Sequence, residues 1–383
     1  MITETIKAAN MVEILTKFNF ESNSIKVKPF GSGHINDTYL IEYSDSDMKF
    51  LLQRINHHVF KDVDILMDNI IKVTTHIRDK VSKKYPNKSD ERAMIAIKAL
   101  DGKYYHQDSN GNYWRVFNYL NNTKSYDIVK TENQAFEGGK AFGEFQAFLS
   151  DLPTTQTKET IINFHNIHSR LNNLRAAIAE DRFDRVKQVR REIELINSRS
   201  SDMEYVPRKG NEGKLPLRVI HNDTKFNNVL LDQADKAQCV IDLDTVMPGY
   251  VAYDFGDAIR TIINTASEDE KDLNKININL SLYSAFTKGY LTETLNFLED
   301  EEIESLAEGA MLFPYMQAVR FLTDFIEGDH YYKTEFEAHN LQRTRAQLQL
   351  FLRMDAASAT LKNIVNDVVN TLRNKSQMDN GKH

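Results

Sequence analysis

Two short apolar strand patterns interrupt a region of the chain that otherwise follows helical periodicity. They cover Leu217–Ile220 and Cys239–Leu243, and polar residues follow each of them. Segments that leave short buried strands run along the surface, where their polar side chains can meet. The sequence must therefore fold so that a mostly helical region presents two polar loops at one place.

The remaining pattern divides the chain into a β-rich part and a helical part. The N-terminal part alternates as strands do, except for helical spacing from Phe60 to about Val81, and helical spacing dominates from about Thr131. We predict an α+β, two-lobed fold with a β-rich N-terminal lobe and one main helix over residues 1–120. A larger, mostly helical C-terminal lobe covers residues 121–383. The predicted strands of the first lobe are Ser24–Phe30, Asn36–Tyr43, Met48–Arg54, Met94–Leu100, Lys103–Gln107 and Tyr113–Leu120.

Three further patterns describe the helical lobe. Ala135, Gly139 and Gly143 share one face of a predicted helix over residues 132–149, which indicates close helix packing. Residues 165–197 predict a long, charged helical stretch with a solvated face. The polar residues 198–214, with two glycines, predict a loop.

Charge and composition exclude several classes of protein. The 383 residues include 48 Lys+Arg against 55 Asp+Glu, a net charge of −7, which argues against broad nucleic-acid binding. The single cysteine, Cys239, cannot form an intramolecular disulfide, and its apolar neighbours predict a buried thiol. No apolar run reaches about 18 residues, and the N-terminus lacks the apolar core of a signal peptide. We expect a cytoplasmic protein without membrane contact and without an obligate protein partner.

The two polar loops carry the candidate chemistry. His221–Asn228 reads HNDTKFNN, and the second loop begins IDLD at Ile241. If the loops meet, they bring Asp223, Asn228 and Asp242 together. Carboxylate and amide oxygens without a cysteine cluster suit Mg²⁺ that keeps part of its water. An aspartate five residues before the asparagine suits a base that orients a hydroxyl nucleophile.

The pattern H-x-D-x(4)-N, followed by a strand and I-D, resembles the catalytic and metal loops of the protein-kinase-like superfamily. It is most similar to the aminoglycoside phosphotransferase and choline kinase branch, whose members phosphorylate small molecules. The resemblance implies ATP and Mg²⁺ as cofactors, Asp223 as the base, and Asn228 and Asp242 as metal ligands. Asp244 would lie close enough to help hold the metal.

A D-F-G sequence at Asp254–Gly256 imitates the metal motif of protein kinases. It opens a predicted helix instead of leaving a strand, whereas Asp242 has the spacing from Asn228 that the loop geometry requires. The resemblance therefore implies a structural role for Asp254, which with His221 would buttress the catalytic loop.

The nucleotide site is expected in the N-terminal lobe. Gly31, Ser32 and Gly33 lie between two strand patterns, whereas a P-loop or a dinucleotide fingerprint needs a helix after its glycines. A strand, a glycine turn and a second strand over the phosphates is the arrangement of kinases. We therefore predict that these three residues bind nucleotide phosphates.

Two other parts of this lobe would complete the nucleotide site. Arg54 or Gln53 would replace the phosphate-pairing lysine of protein kinases, but neighbours in a strand face opposite ways, so only one of them faces the nucleotide. Either Asp64 or Asp68 would be its helical partner. The backbone expected to bind the adenine is that of Asn118, Tyr119 and Leu120.

Several longer segments resemble a narrower family, the N-acetylhexosamine 1-kinases, which phosphorylate the anomeric hydroxyl of GlcNAc or GalNAc. The matching segments are 31–39, 52–56, 223–225, 241–249, 320–324, 328–332 and 339–341. The resemblance implies that ATP gives its γ-phosphoryl group to O1 of the sugar. Sugar hydroxyls and an acetamide need directional donors and acceptors beside an aromatic face. The implied sugar-binding residues are His34, Asn36, Asp223, Arg320 and Tyr331.

Other acceptors and other classes stay open. Choline, homoserine or an aminoglycoside would make the chain a different small-molecule kinase, although a cationic acceptor predicts carboxylates and aromatics and Arg320 argues against it. A nucleotide-binding pseudokinase would have lost Asp223, Asn228 or Asp242, and all three are present. A metal-dependent hydrolase would need more carboxylate or histidine ligands. The sequence does not rank GlcNAc against GalNAc, or ATP against GTP.

Overall fold

The structure is a computed structural model that describes residues 11–20, 25–31 and 35–380. It divides into two compact units, residues 1–123, 151–162 and 241–247, and residues 124–150, 163–240 and 248–383. The first is β-rich and the second is mostly helical, in agreement with the predicted α+β class. The expected boundary at residue 120 lies near the end of the first segment, but residues 151–162 and 241–247, assigned to the C-terminal lobe, belong to the first unit.

The first unit is built on a mostly antiparallel sheet. Neighbouring strands follow the order β1-β2-β3-β6-β4, and β5 also pairs with β6. In the register of β3 and β6, Gln53 lies opposite Arg115, which places both side chains on one face. The strands are β1 (Ile25–Pro29), β2 (Asp37–Tyr43), β3 (Lys49–Ile55), β4 (Ala96–Ile97), β5 (His106–Gln107) and β6 (Tyr113–Asn118).

A helix follows the third strand, as the apolar spacing predicts. Helix α1 spans Val63–Lys84, and its N-cap Asp62 accepts a hydrogen bond from the Ile65 N–H at 2.9 Å. The buried side chains repeat at helical spacing along one face. They are Val63, Leu66, Met67, Asn69, Ile70, Val73, Thr74, Ile77 and Val81. A short helix, α2 (Ser89–Arg92), comes next.

The second unit contains most of the helices and four short strands, one of which begins in the first unit. No helix in the described part of the chain combines the length and apolar character needed to cross a bilayer. The helices are α3 (Glu132–Phe148), α4 (Ile167–Glu180), α5 (Arg190–Arg199), α6 (Tyr205–Asn211), α7 (Val251–Ile262), α8 (Leu280–Thr294), α9 (Asp300–Ile326), α10 (His339–Ala356) and α11 (Ser358–Asn380). The strands are β7 (Arg218–Ile220), β8 (Val229–Leu231), β9 (Ala237–Val240) and β10 (Met247–Gly249).

Two predictions for this unit are wrong. The stretch 165–197 is not one helix, because Asp181 takes a left-handed conformation that ends α4, and its carboxylate accepts the N–H groups of Arg185 and Val186. The predicted loop 198–214 contains α6, whose buried Val206 secures it despite the polar sequence. In both places tertiary context and a side-chain cap outweigh the local pattern.

Helices α3 and α8 approach each other so closely that backbone contacts backbone. A Cβ at Gly139 would overlap the carbonyl oxygen of Phe286, and a Cβ at Gly289 would overlap that of Phe136. Gly143 is packed in the same way against Tyr290. The small face predicted for α3 is therefore a packing surface, and α8 supplies a glycine of its own.

The α3–α8 contact predicts the sign of a change in the free energy of unfolding, because helix propensity and steric overlap act in opposite directions. Helix propensity alone makes alanine about 1 kcal/mol better than glycine. The overlap with the Phe136 carbonyl reverses this, so Gly289→Ala should lower the free energy of unfolding by roughly 1–3 kcal/mol. Urea denaturation measures it. The exposed neighbour variant Lys288→Ala should stay within about 0.5 kcal/mol of the original protein, and a more stable Gly289→Ala protein would contradict the packing.

Candidate active site

The carboxylate of Asp254 binds the start of the loop after β7. Asp254 lies in the first turn of α7 and accepts the backbone N–H of His221 at 2.8 Å and of Asn222 at 2.7 Å. The hydroxyl of Thr224 donates to the Asp254 carbonyl oxygen at 2.5 Å. Asn222 has a φ of +64°, a left-handed conformation that asparagine tolerates better than most residues. The loop conformation therefore depends on Asp254.

Asp254 is deeply buried, and this changes its acidity. Burial raises the pKa of Asp254 to about 7, although the two backbone N–H groups of His221 and Asn222 oppose the rise. Both of its carboxylate oxygens accept backbone N–H groups of the loop. In this position Asp254 acts on the loop structurally.

The loop places its aspartate and its asparagine side by side. The Asn228 amide nitrogen donates to the Asp223 carbonyl oxygen at 2.8 Å and lies 3.4 Å from the Asp223 carboxylate. Lys225 Nζ lies 3.2 Å from the same carboxylate. Burial would raise the pKa of Asp223, but the charges of Lys225 and His221 outweigh it and lower that pKa. Asp223 is therefore ionised at neutral pH.

Sequence reasoning missed the contribution of Lys225 and of the network behind the loop. The Thr224 N–H donates to Asp257 at 3.0 Å, and Arg260 bridges Asp257 and Glu268 at 3.2 and 2.6 Å. The position of Lys225, two residues after the aspartate, was the available signal. The partners of Thr224 lie too far along the chain for a local pattern to reveal.

A buried histidine also hydrogen-bonds to this loop. His165 Nε2 donates to the Asn222 carbonyl oxygen at 2.9 Å, and its ring packs on Tyr253 and Phe313. Burial lowers the pKa of His165 to about 3, and the charges of Arg320 and Arg170 add to the lowering. The ring is therefore neutral. His221 itself is fully buried against Phe142 and Phe145.

The two predicted sugar-binding residues on the C-terminal segments differ in their surroundings. Arg320 Nη1 donates to Gln317 at 3.2 Å, and its guanidinium lies 5.6 Å from the ring centres of both Phe164 and Tyr332. Tyr331 is 65% exposed, with its ring 4.8 Å from that of Tyr332. Tyr331 also lines a cavity of about 490 Å³ in the second unit. Arg320 is thus half-buried beside two aromatic rings, and Tyr331 is open to solvent.

In the first unit the IDLD loop, which begins at Ile241, is bound to the sheet. Asp242 takes a left-handed conformation (φ +63°) just before a short 3₁₀ turn, Leu243–Thr245. Asp244 is buried, and its two carboxylate oxygens contact Arg115 Nη1 at 2.6 Å and the Asn36 amide nitrogen at 2.7 Å. Asp244 is therefore already neutralised by a cation of its own unit.

The sequence did not single out Arg115. Its contacts show how Gln53 and Arg54 differ, the two residues between which the sequence left the choice open. Gln53 accepts from Arg115 Nε and Nη2 at 3.0 and 2.9 Å, whereas the exposed Arg54 forms an ion pair with Asp37. Neither predicted helical partner reaches them: Asp64 accepts from the Tyr105 hydroxyl, and Asp68 pairs with Lys72. The buried cation on this face of the sheet is Arg115.

The remaining predicted residues of the first unit have these positions. Asn36 bridges Asp244 and the Asn56 N–H, and Gly31 has a φ of +76° with open space where a Cβ would lie. The N–H groups of Asn118 and Tyr119 donate to Ile95 and Lys49 carbonyl oxygens, and the Leu120 carbonyl accepts from the Thr123 hydroxyl. Ser32, Gly33 and His34 lie outside the described residues.

The donors on these loops suit a hard cation better than a soft one. Because the Asn228 amide nitrogen donates to Asp223, its oxygen is the atom left for a cation. Within residues 11–20, 25–31 and 35–380, no group of three or more His, Cys, Asp or Glu side chains is arranged to hold a metal. The predicted donors are an amide and a few carboxylates, which matches Mg²⁺ that takes its other ligands from water and phosphate.

The contact between Asp254 and the loop predicts a loss of stability on a nearly isosteric change. Asp254→Asn replaces one acceptor oxygen by a donor, so one buried N–H of the loop loses its partner. We expect the free energy of unfolding to fall by about 1–3 kcal/mol. Asp300→Asn, in the first turn of α9 but exposed, is the matched control and should cost less than about 1 kcal/mol. Equal effects of the two changes in urea denaturation would refute the role of Asp254.

The neutral His165 predicts a pH dependence of stability. Its pKa is about 3 in the fold, against about 6.5 in an unfolded chain, so the unfolded state takes up the proton first as the pH falls. The contribution of the neutral His165 to the free energy of unfolding is present above pH 6.5. It is lost progressively as the pH falls towards 3, by about 2 kcal/mol between pH 7.5 and 5. His165→Gln should lose this part of the pH dependence, and the exposed His58→Gln should retain it. Parallel curves for the original protein and His165→Gln would contradict the assignment.

The chain matches a protein-family model, and its structure is similar to several solved structures. The model of the phosphotransferase enzyme family matches residues 26–275, more than half of the chain. The structure is similar to choline kinase from Cryptosporidium parvum Iowa II, with a TM-score of 0.51, 15% identity, and coverage of 96% of this chain and 99% of that one. It is also similar to the GDP complex of an aminoglycoside 2'-phosphotransferase IIIa variant, with a TM-score of 0.52, 14% identity, and coverage of 91% and 97%.

A third similar structure is spectinomycin phosphotransferase in complex with ADP and spectinomycin, with a TM-score of 0.50, 11% identity, and coverage of 96% and 98%. At these identities the structural similarities establish the fold alone, which is protein-kinase-like. The family match covers the glycine-rich segment, the loop after β7 and the IDLD loop. The chain therefore belongs to the phosphotransferase enzyme family.

Proposed function

We propose that this phosphotransferase transfers the γ-phosphoryl group of ATP to the anomeric hydroxyl of an N-acetylhexosamine, GlcNAc or GalNAc, in the cytoplasm. Arg320 is the observation that carries the choice of acceptor. Its guanidinium lies 5.6 Å from the centres of two aromatic rings and has an amide as its hydrogen-bond partner, which suits a neutral, oxygen-rich acceptor better than a cationic one. The segments that resemble N-acetylhexosamine 1-kinases support the same acceptor.

In the proposed mechanism Asp223 aligns the sugar O1–H and accepts its proton. The lowered pKa of Asp223 keeps the carboxylate ionised and ready for that proton. As O1 attacks, the bond from O1 to the γ-phosphorus forms, the bond to the β–γ bridging oxygen breaks, and ADP leaves. Little covalent help is required, because positioning and charge neutralisation supply most of the catalysis.

We propose that Asn228 and Asp242 hold Mg²⁺, which when bound neutralises charge on the β- and γ-phosphates. Asp244 would assist only by giving up Arg115 or Asn36, so we propose that it mainly fixes the IDLD loop. The nucleotide phosphates are proposed to lie under the glycine-rich segment. The proposed nucleotide-binding residues are Gly31, Ser32, Gly33, Arg54, Asn118, Tyr119 and Leu120.

The similar proteins support nucleotide use in general terms. One was solved with GDP and another with ADP, and we propose a purine nucleotide for this chain as well. His34, Asn36, Arg320 and Tyr331 are the proposed sugar contacts beside Asp223. Asn36 would act largely through Asp244, since both ends of its amide are already engaged.

A second candidate, kinase activity on a cationic acceptor, has one observation in its favour. The cavity beside Tyr331 is also lined by Phe183 and by the carboxylates of Glu180 and Glu327. Aromatic faces with carboxylates are what an ammonium group requires. Two of the similar structures are a choline kinase and an aminoglycoside phosphotransferase. An acceptor panel separates this candidate from the sugar.

The decisive measurement is ADP release with GlcNAc, GalNAc, choline, homoserine and kanamycin as acceptors. We expect turnover with the N-acetylhexosamines, and Asp223→Asn should reduce kcat by roughly 10²–10⁴ because the proton acceptor is lost. Asp300→Asn, an exposed carboxylate change in the same unit, should leave kcat unchanged.

The site of transfer is tested by blocking the anomeric hydroxyl. A methyl glycoside of GlcNAc should give no ADP, because O1 no longer carries a proton. Turnover of choline or kanamycin without sugar turnover would establish the second candidate instead. Full activity of Asp223→Asn would overturn the mechanism for any acceptor.

A further inference from the structure

Arg170 and Arg320 of the second unit are half-buried and, like Arg343, have no ion-paired carboxylate among the described residues; Arg343 donates instead to the Lys333 carbonyl oxygen and the Asn340 amide oxygen. Three other buried or half-buried arginines are ion-paired: Arg115 with Asp244, Arg218 with Glu302, and Arg260 with both Asp257 and Glu268. An enclosed guanidinium without a counter-charge is costly, so the absence has to be explained.

Both arginines meet at one residue. Arg170 Nη2 donates to the Phe164 carbonyl oxygen at 2.7 Å, while the Arg320 guanidinium lies 5.6 Å from the centre of the Phe164 ring. The Nε–H of Arg170 is buried and has no hydrogen-bond partner. Arg320 has one side-chain partner, Gln317. Most of the N–H groups of the pair therefore have no hydrogen-bond partner among the described residues.

This pair is connected to the catalytic loop through two adjacent residues. Phe164 precedes His165, and the two rings are 4.3 Å apart. His165 donates to the carbonyl oxygen of Asn222, which directly precedes Asp223. His165 is neutral and so adds no further positive charge beside the two arginines. The charges of Arg170, Arg320 and Asp223 all act on His165, so an acceptor aligned on Asp223 would bind near two guanidinium groups that have no ion-paired carboxylate among the described residues.

Charge then decides which acceptors can bind. An acceptor with carbonyl and hydroxyl oxygens supplies the missing hydrogen-bond acceptors, whereas an ammonium group is repelled by both guanidinium groups and offers them no lone pair. In a hexosamine the difference is one acetyl group, which replaces a protonated amine by a neutral amide with a carbonyl oxygen.

We propose that Arg170 acts with Arg320 to select the acceptor by charge, binding oxygen atoms of uncharged acceptors and excluding those with an ammonium group near the reacting hydroxyl. The proposal rests on the proposed function and adds Arg170 as a specificity residue that the sequence did not reveal. It also gives a reason for N-acetylation of the substrate.

The test compares GlcNAc with glucosamine at pH 6.5, where the amine is protonated. The original protein should prefer GlcNAc in kcat/KM, and Arg170→Gln and Arg320→Gln should each lower this preference at least tenfold. Arg170→Lys retains the charge and should retain most of the discrimination, which a purely structural role would not predict. Arg175→Gln, on the same helix but exposed, is the matched control and should leave the preference unchanged.

A second readout does not depend on catalysis. The methyl glycosides of the same two sugars bind without an O1 proton to transfer, and calorimetry gives their affinities for the original protein and each variant. Equal affinities in the original protein, no measurable binding of either glycoside, or an unchanged preference in both glutamine variants would overturn the charge selection. A binding preference that Arg170→Gln removes, in a protein that releases no ADP with sugars, would support charge selection and reject the proposed function. Sugar turnover with no effect of the variants would do the reverse.

Discussion

The loop after β7, to which we assign the proposed proton acceptor, depends on the carboxylate of Asp254, which accepts two consecutive backbone N–H groups. Those bonds fix the peptide groups of His221 and Asn222, and the positions of Asp223 and Asn228 follow from them. Because the carboxylate is buried, no water competes for the two donors. The cost is a raised pKa, which is acceptable for a group that orients a loop and does not exchange protons with a substrate.

Several buried arginines of the chain are compensated by carboxylates. Asp244 is neutralised by Arg115 inside the first unit, and the network behind the catalytic loop pairs Arg260 with two carboxylates. Paired charges of this kind hold structure and are not free to bind a ligand. Arg170 and Arg320 have no such partner among the described residues, and both lie against Phe164, which precedes the histidine that contacts the loop after β7. Uncompensated charge therefore coincides with the proposed acceptor position.

Local sequence patterns predicted the elements and the loops but not the contacts between distant residues. The strands of the sheet, α1 and the helix beginning near Asp254 follow from periodicity, and the family pattern singled out Asp223, Asn228 and Asp242. The breaks at Asp181 and the helix Tyr205–Asn211 did not follow, because a side-chain cap and burial decide them. Arg115 and Arg170 were missed because their significance depends on which charges lie nearby, and no spacing in the sequence encodes that.

The amide of Asn36 faces a carboxylate with its nitrogen and a backbone N–H with its oxygen. Only one orientation of the amide satisfies both partners. Deamidation would remove the N–H₂ group that donates to Asp244. Deamidation would place a second carboxylate against Asp244, and the repulsion would compete with Arg115 for control of the IDLD loop. Deamidation of the half-buried Asn36 would thus disturb the IDLD loop, although no residue of that loop is modified.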